Sequence, residues 1–167
     1  LEKEILAEYG GVTAEALAKS ALNTVRYMEN LDFDNLVLSI KSSNVPMTYA
    51  AYTLAAKETD VPMHIGITES GTPSNGKLKS AIGIGGLLLS GIGDTLRVSL
   101  TDDPVQEVLF GQRILEAVEL REKSIEIVSC PTCGRTEVDL ISLAEETENR
   151  LVPVAKRRQE KGLRPLK

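Results

Sequence analysis

Aromatic side chains are scarce in this chain of 167 residues, which has no tryptophan and only 4% Phe, Trp and Tyr combined. Because Met and Cys are also few, most of its 42% apolar residues are Ala, Val, Ile and Leu. Branched aliphatic cores of this kind are typical of parallel sheets covered by helices. The composition therefore favours an α/β fold over a β-sandwich.

The sequence also lacks a long apolar run, an excess of basic residues and a cysteine-rich pattern. No apolar stretch approaches the roughly 20 residues that span a bilayer, and no signal-like segment opens the sequence. The net charge of −5 argues against a general nucleic-acid binder, because such proteins need a basic face to displace counterions. Two cysteines do not make a disulfide scaffold, so we expect a cytoplasmic protein.

Helix and strand patterns alternate along the chain. Apolar residues at helical spacing predict helices over 1–9, 13–30, 46–59, 78–89 and 104–118. Short apolar runs predict strands over 35–41, 61–68, 95–100 and 124–128. Successive strands are separated by about the length of a βαβ unit. The sequence therefore predicts a parallel sheet, either open or closed into a barrel.

Polar residues follow each predicted strand, in segments 41–44, 68–72, 97–103 and 130–133. In parallel α/β folds the carboxyl ends of the strands carry the functional groups, because the loops converge there. Four successive strand ends are therefore expected to face one site.

Lys41 and Arg97 each end or interrupt an apolar strand, where a cation is costly to bury without an anion. Arg97 can offer a bidentate fork, Lys41 a point charge and Ser99 a hydroxyl on the same strand face as Arg97. These residues predict a phosphate or carboxylate site. The alternative is a structural ion pair of either cation with Glu69 or Asp102.

Glu69 follows Thr68 at the next strand end and could move a proton, although a helix cap or an ion pair would explain it equally well. The glycines of segment 83–86 lie inside a helical pattern, so close helix packing explains them better than a phosphate loop does. His64, the only histidine, lies within a predicted strand and is expected to be a hydrogen-bonded core residue.

Cys130 and Cys133 form a C-x-x-C turn, whose two thiolates could hold a metal or form a reducible disulfide. A thioredoxin-like redox role expects the pair at the start of a helix in a small fold. A zinc site would need two such turns meeting across a dimer, and an iron–sulfur cluster would need further ligands downstream.

Several segments together closely resemble the 4-hydroxy-3-methylbut-2-enyl diphosphate synthase family. The resemblance is carried, in the order of the family, by the segments Val37–Ser43, His64–Thr72, Lys77–Gly85, Gly91–Leu100, Asp103–Glu107 and Ile127–Leu140. It implies a TIM (β/α)8 barrel followed by a small α/β domain that holds a 4Fe-4S cluster through three cysteines and one glutamate. Residues 1–122 would form the later part of the barrel, and residues 123–167 the start of the cluster domain.

The resemblance also implies an activity. Family members are iron–sulfur oxidoreductases of isoprenoid biosynthesis that convert 2-C-methyl-D-erythritol 2,4-cyclodiphosphate to 4-hydroxy-3-methylbut-2-enyl diphosphate in the methylerythritol phosphate pathway. Lys41, Arg97 and Ser99 match diphosphate-binding positions of the family, and Thr68 and Glu69 match the pair that contacts the reacting part of the substrate.

Cys130 and Cys133 would be the first two cluster ligands. Reduced ferredoxin or flavodoxin would supply electrons, and the intact enzyme would be a homodimer in which each cluster domain caps the partner's barrel. The third cysteine, the glutamate ligand and the early barrel strands lie outside this sequence. We therefore expect a fragment that is inactive alone and prone to aggregate through its open strand edges. The alternatives are a non-catalytic zinc- or anion-binding α/β module and a cluster-free phosphate-binding α/β enzyme.

Overall fold

The computed structural model describes residues 1–129, 137–164 and 166. It divides the chain into two compact units, Leu1–Val118 and Glu119–Lys167. The predicted boundary between the barrel and cluster domains, after residue 122, falls close to this division and remains a prediction. No helix in the described part of the chain is both long and apolar enough to cross a membrane.

The first unit alternates helices with short strands. In chain order its elements are α1 (Lys3–Glu8), α2 (Ala14–Glu29), α3 (Val45–Ala55), β1 (His64–Gly66), α4 (Pro73–Leu89), β2 (Thr95–Arg97) and α5 (Pro104–Ala117). Three of the helices begin with a side-chain cap, in which an oxygen of Thr13, Asn44 or Asp103 accepts a hydrogen bond from a backbone N–H of the first turn. These caps explain why the helix starts were largely predictable.

The strands form a parallel sheet. β1 pairs with β2 in the register His64 to Thr95 and Gly66 to Arg97. A parallel bridge between Leu38 and Met63 places the segment around Leu38 on the other side of β1. The observed order of strand segments thus follows the chain order, as expected for consecutive βαβ units, and confirms the predicted α/β class.

The core lies between this sheet and its helices and is aliphatic, as the composition predicts. Ile65 and Ile67 of the central segment are fully buried, as are Ile84 and Leu87 of α4. Tyr52 of α3 is the largest fully buried side chain. Met63, just before β1, is also buried.

The strands are shorter than predicted because side chains replace several backbone hydrogen bonds. The Tyr52 hydroxyl interrupts the predicted strand 35–41, leaving only the bridge at Leu38. Glu107 of α5 accepts a hydrogen bond from the backbone N–H of Leu100 at 2.7 Å, and the predicted strand 95–100 ends at Arg97. An apolar run does not reveal such competing partners.

Helix α4 begins at Pro73, five residues before its predicted start. Proline suits the first turn of a helix, where its missing N–H costs nothing. Gly83 packs directly against Ile67, since a Cβ at this position would lie 2.5 Å from the Ile67 Cδ1 atom. The predicted packing role of the glycines in segment 83–86 is therefore confirmed at Gly83.

The second unit contains one long helix, α6 (Leu140–Glu160), which the sequence analysis did not predict. Its N-terminus is capped by Asp139, whose carboxylate accepts from the backbone N–H of Ser142 at 3.1 Å. Ile125 forms a parallel bridge with Leu166. The predicted strand 124–128 is thus reduced to a single pairing position.

Candidate functional site

The central strand presents alternate residues to opposite sides of the sheet. Met63, Ile65 and Ile67 are buried on the helix side. The intervening positions, beginning with His64 and Gly66, therefore lie on the opposite side. We call this side the polar face; by the strand register it carries His64, Gly66, Thr95 and Arg97. The same alternation, extended by two residues, places Thr68 and Ser99 on it.

Lys41 and Arg97 lie in one row of the polar face. Arg97 pairs directly with Gly66. The Leu38–Met63 bridge, continued by the hydrogen bond from the Thr68 N–H to the Ser42 carbonyl oxygen at 3.1 Å, places Lys41 on the other side of Gly66. Gly66 contributes no side chain between them. The two cations therefore flank a position that presents only backbone atoms.

Arg97 has a buried donor that the described part of the protein does not satisfy. Its Nε atom is buried and has no hydrogen-bond partner among the described residues. Within the same residues no ion pair joins Arg97 or Lys41 to Glu69 or Asp102. The structural ion pair offered as an alternative is therefore not formed. A buried guanidinium donor without a partner requires an explanation, and an anionic ligand supplies one.

The loop that follows the central strand holds Glu69 in an unusual conformation. Glu69 has a φ of 49°, in the left-handed region that disfavours residues with a Cβ, and it is exposed. Helix α4 is preceded by Thr72 rather than Glu69, so Glu69 is not its cap. Strained backbone of this kind is often found at functional sites.

Thr68 and Ser99 add hydroxyl groups to the polar face. Both are half-buried, and each lies two residues beyond Gly66–Arg97, the last pair of the β1–β2 register. The backbone bond from the Thr101 N–H to the Gly71 carbonyl oxygen, at 3.3 Å, keeps the two loops side by side. The hydroxyl pair therefore lies one row nearer the carboxyl end than the two cations.

His64 is hydrogen-bonded as predicted, but it is not a core residue. Its Nδ1 atom lies 2.8 Å from the Thr95 Oγ1 atom, and the side chain is half-exposed on the polar face. The period-two spacing from Thr68 back through Gly66 to His64 could have revealed this placement. The role of Tyr52 beneath the site was also missed, because an isolated tyrosine in a helix carries no such signal.

A cavity of about 450 Å³ lies between α2 and segment 36–41. Its walls are mainly apolar, with Leu17, Val25 and Leu38 among them, and Lys41 is also one of the lining residues. An anion would lose its hydration there without gaining hydrogen bonds from most of the wall. The polar face is therefore the better candidate for an anionic ligand.

Cys130 and Cys133 lie outside the described residues, so their metal and redox interpretations remain predictions. In residues 1–129, 137–164 and 166, no cluster of three or more His, Cys, Asp or Glu side chains is arranged to hold a metal ion. The described site is thus one that can bind an anion and carries an exposed carboxylate beside it.

These features define a parallel α/β unit whose strand ends carry hydroxyls and two cations, neither of which forms an ion pair with the residues that the structure describes. Residues 1–112 match the GcpE TIM-barrel domain. The chain belongs to the GcpE family, as the resemblance predicted, and its first unit is part of a TIM barrel.

Relatives of known name agree with this family. The chain is 56% identical to a protein of Caldanaerobacter subterraneus subsp. tengcongensis over 93% of its length, and 57% identical to one of Geobacter sulfurreducens over 92%. A third, from Clostridium perfringens, is 53% identical over 90%. All three are named 4-hydroxy-3-methylbut-2-en-1-yl diphosphate synthase (flavodoxin). The chain spans 44%, 44% and 43% of their respective lengths.

Proposed function

We propose that this chain acts as part of a 4-hydroxy-3-methylbut-2-enyl diphosphate synthase. The whole enzyme would open 2-C-methyl-D-erythritol 2,4-cyclodiphosphate and reductively remove a hydroxyl group, in the methylerythritol phosphate route to isoprenoids. Membership of the GcpE family and the names of its relatives support this assignment. Residues 1–122 would belong to the barrel and residues 123–167 to the cluster domain.

The observation that carries the proposal is the buried, unpartnered Nε atom of Arg97 in the row that also holds Lys41. Two fixed cations on either side of Gly66 suit a diphosphate, whose charge they would neutralise without reorganisation during the reaction. Ser99 would donate its hydroxyl to the same group. These three residues would bind the substrate and stabilise the phosphate oxygen released when the ring opens.

Thr68 and Glu69 would act on the carbon part of the substrate. The left-handed backbone at Glu69 directs the chain out of the strand and leaves the carboxylate exposed at the strand end. A carboxyl group there can donate a proton to the departing hydroxyl, which leaves as water. Thr68, held by its backbone bond to Ser42, would orient the substrate beside it.

Cys130 and Cys133 would be two ligands of a 4Fe-4S cluster. Their fit rests on the donor set, because soft thiolates spaced two residues apart are the ligands that such clusters use. They are the only cysteines in this sequence, so the remaining ligands would come from other residues of the whole protein. When bound, the cluster would supply electrons singly and an iron that acts as a Lewis acid.

Flavodoxin is the proposed electron donor, because the relatives carry it in their names. We further propose a homodimer, in which the cluster domain of one subunit covers the barrel of its partner and excludes water from the anion site.

The anion site can be tested by titrating the full-length protein that carries this chain with the cyclic diphosphate, without reductant. Lys41→Ala and Arg97→Ala should each weaken binding by about tenfold to a hundredfold, since each removes a charged hydrogen-bond donor. Lys57→Ala and Arg113→Ala are matched controls, because both side chains are exposed and lie away from the strand ends. Equal affinities in all four variants would contradict the proposed site.

Zinc in place of iron, together with retained anion affinity, would instead support the non-catalytic binding module. Metal analysis of the same protein samples therefore separates the two functions.

A further inference from the structure

Tyr52 of α3 extends its hydroxyl group between two strand segments of the sheet. The backbone N–H of Ile40 donates to the hydroxyl oxygen at 2.9 Å, and the hydroxyl donates to the His64 carbonyl oxygen at 2.6 Å. The Ile40 carbonyl oxygen lies 3.0 Å from the same hydroxyl. The side chain is fully buried. One phenol group therefore satisfies backbone groups of two neighbouring strands.

The backbone ladder is regular on both sides of this point. Before it, the Leu38 N–H donates to Pro62 and the His64 N–H donates to Leu38, each at 2.8 Å. After it, the Thr68 N–H donates to Ser42 at 3.1 Å. A parallel ladder in this register would join Ile40 to its opposite strand directly. In the described residues no backbone bond does so, and the hydroxyl occupies the position between them.

The interruption lies directly beside Lys41. Ile40 is buried on the helix side, so the next residue, Lys41, projects to the polar face. The separation of its strand from the central strand decides how far Lys41 stands from Arg97 across Gly66. An inserted oxygen atom holds the two backbones further apart than a direct N–H···O bond of about 2.9 Å would.

We propose that Tyr52 is a positioning residue, whose hydroxyl sets the separation of Lys41 and Arg97 to suit a diphosphate. This inference rests on the proposed anion site and deepens it, because it names what determines the spacing of the two cations. Tyr52 itself need not touch the ligand.

The protonation of the phenol is consistent with this role. Burial raises the pKa of Tyr52, against smaller opposing effects of its hydrogen bonds to Ile40 and Ser39 and of the positive charge on Arg97. The phenol therefore keeps its proton at neutral pH and can donate to His64.

The test is the affinity of the full-length protein for the cyclic diphosphate, measured by calorimetry without reductant in the Tyr52→Phe variant. Phenylalanine keeps the ring and removes the hydroxyl, so the backbones can close into a direct hydrogen bond. We expect the affinity to fall about tenfold, a change that lies within the range of interaction free energies measured between residues in contact. Tyr49→Phe is the matched control on the same helix, since among the described residues its hydroxyl bonds the Ser90 side chain, at 2.9 Å, and no strand; it should change affinity less than twofold.

A double-mutant cycle separates positioning from a general structural effect. If Tyr52 acts through Lys41, adding Tyr52→Phe to Lys41→Ala should cost less than a further twofold in affinity. A lower melting temperature with unchanged affinity in Tyr52→Phe would overturn the inference. So would a full tenfold loss in the Lys41→Ala background. Unchanged affinity in Lys41→Ala alone would overturn the anion site as well.

A second variant covers the case in which Tyr52→Phe does not fold. In 4-aminophenylalanine the amine can donate to the His64 carbonyl oxygen but is a poor acceptor for the Ile40 N–H. Because the amine keeps an atom of similar size between the two strand segments, we expect affinity within about twofold of that of the unaltered protein. A full tenfold loss of affinity with this residue at position 52 would overturn the inference.

Discussion

Two glycines of α4 should respond in opposite ways to the same substitution. A Cβ at Gly83 would lie 2.5 Å from Cδ1 and 2.7 Å from Cγ1 of Ile67. A Cβ at Gly85 would meet only the Cγ1 atom of Val118, at 3.9 Å. Both positions are buried in the same helix. The pair therefore isolates packing against the sheet from helix propensity.

The magnitude follows from these distances. Carbon atoms pack best at about 3.5–4.0 Å, so alanine at Gly83 is about 1 Å too close to Ile67. Ile67 is fully buried and cannot swing into solvent. Overpacking of this kind costs about 1–3 kcal/mol, whereas replacing a helical glycine by alanine gains about 1 kcal/mol at either site. Gly85→Ala should therefore be about 1–3 kcal/mol more stable than Gly83→Ala.

Urea unfolding of the full-length protein, followed by circular dichroism, measures this difference as a shift of midpoint at constant slope. We expect Gly85→Ala to unfold at higher urea than the unaltered protein, and Gly83→Ala at the same or lower urea. Because Ile67 directly precedes Thr68, Gly83→Ala should also weaken binding of the cyclic diphosphate. Equal midpoints for the two variants would refute the close packing of α4 on the sheet.

Three further predictions concern the site and the second unit. Gly66→Ala should lower both stability and anion affinity, because its Cβ would lie 2.6 Å from the Arg97 carbonyl oxygen; unchanged urea midpoint and binding constant would contradict this. Glu69→Gly should relieve left-handed backbone strain of about 1 kcal/mol and greatly lower kcat. Glu69→Gln should also lower kcat but keep the strain. Unfolding and rate measurements on both variants separate the effect on stability from the effect on catalysis. Hydrogen bonds from Ser142 lower the pKa of Asp139 in the folded protein. The stability that the Asp139 cap gives to α6 should therefore be complete above about pH 4, the ordinary pKa of an aspartate, and should be lost as the pH falls through the lowered pKa of the folded state. An NMR titration in which the Asp139 carboxyl shows its ordinary pKa would exclude that contribution.

The sequence predicted the order of elements in the first unit because its signals are local. Thr13 lies at the predicted start of α2, and its Oγ1 atom accepts a hydrogen bond from the Ala16 N–H at 3.1 Å. Apolar runs located each parallel strand of this unit. The predicted strands 35–41 and 95–100 were too long. The side chains that shorten them, Tyr52 and Glu107, lie 12 and 7 residues away from the backbone positions that they bond, Ile40 and Leu100. Such competition is visible only in three dimensions.

The candidate site was predictable in kind but not in arrangement. A cation within an apolar strand is costly to bury without an anionic partner, and this pattern predicted Lys41 and Arg97 as anion-binding residues. Their common row depends on the register of three strand segments and on the missing side chain at Gly66. The left-handed backbone of Glu69 is likewise set by the loop around it.

The central claim is that this chain belongs to a cluster-dependent reductase of a cyclic diphosphate. The most direct measurement follows product formation by phosphorus NMR, using the full-length protein reconstituted anaerobically with iron and sulfide and supplied with reduced flavodoxin. The account predicts conversion to the linear diphosphate with about four irons per subunit, and loss of both in Cys133→Ser. A protein that binds the cyclic diphosphate but holds no iron and forms no product would contradict it.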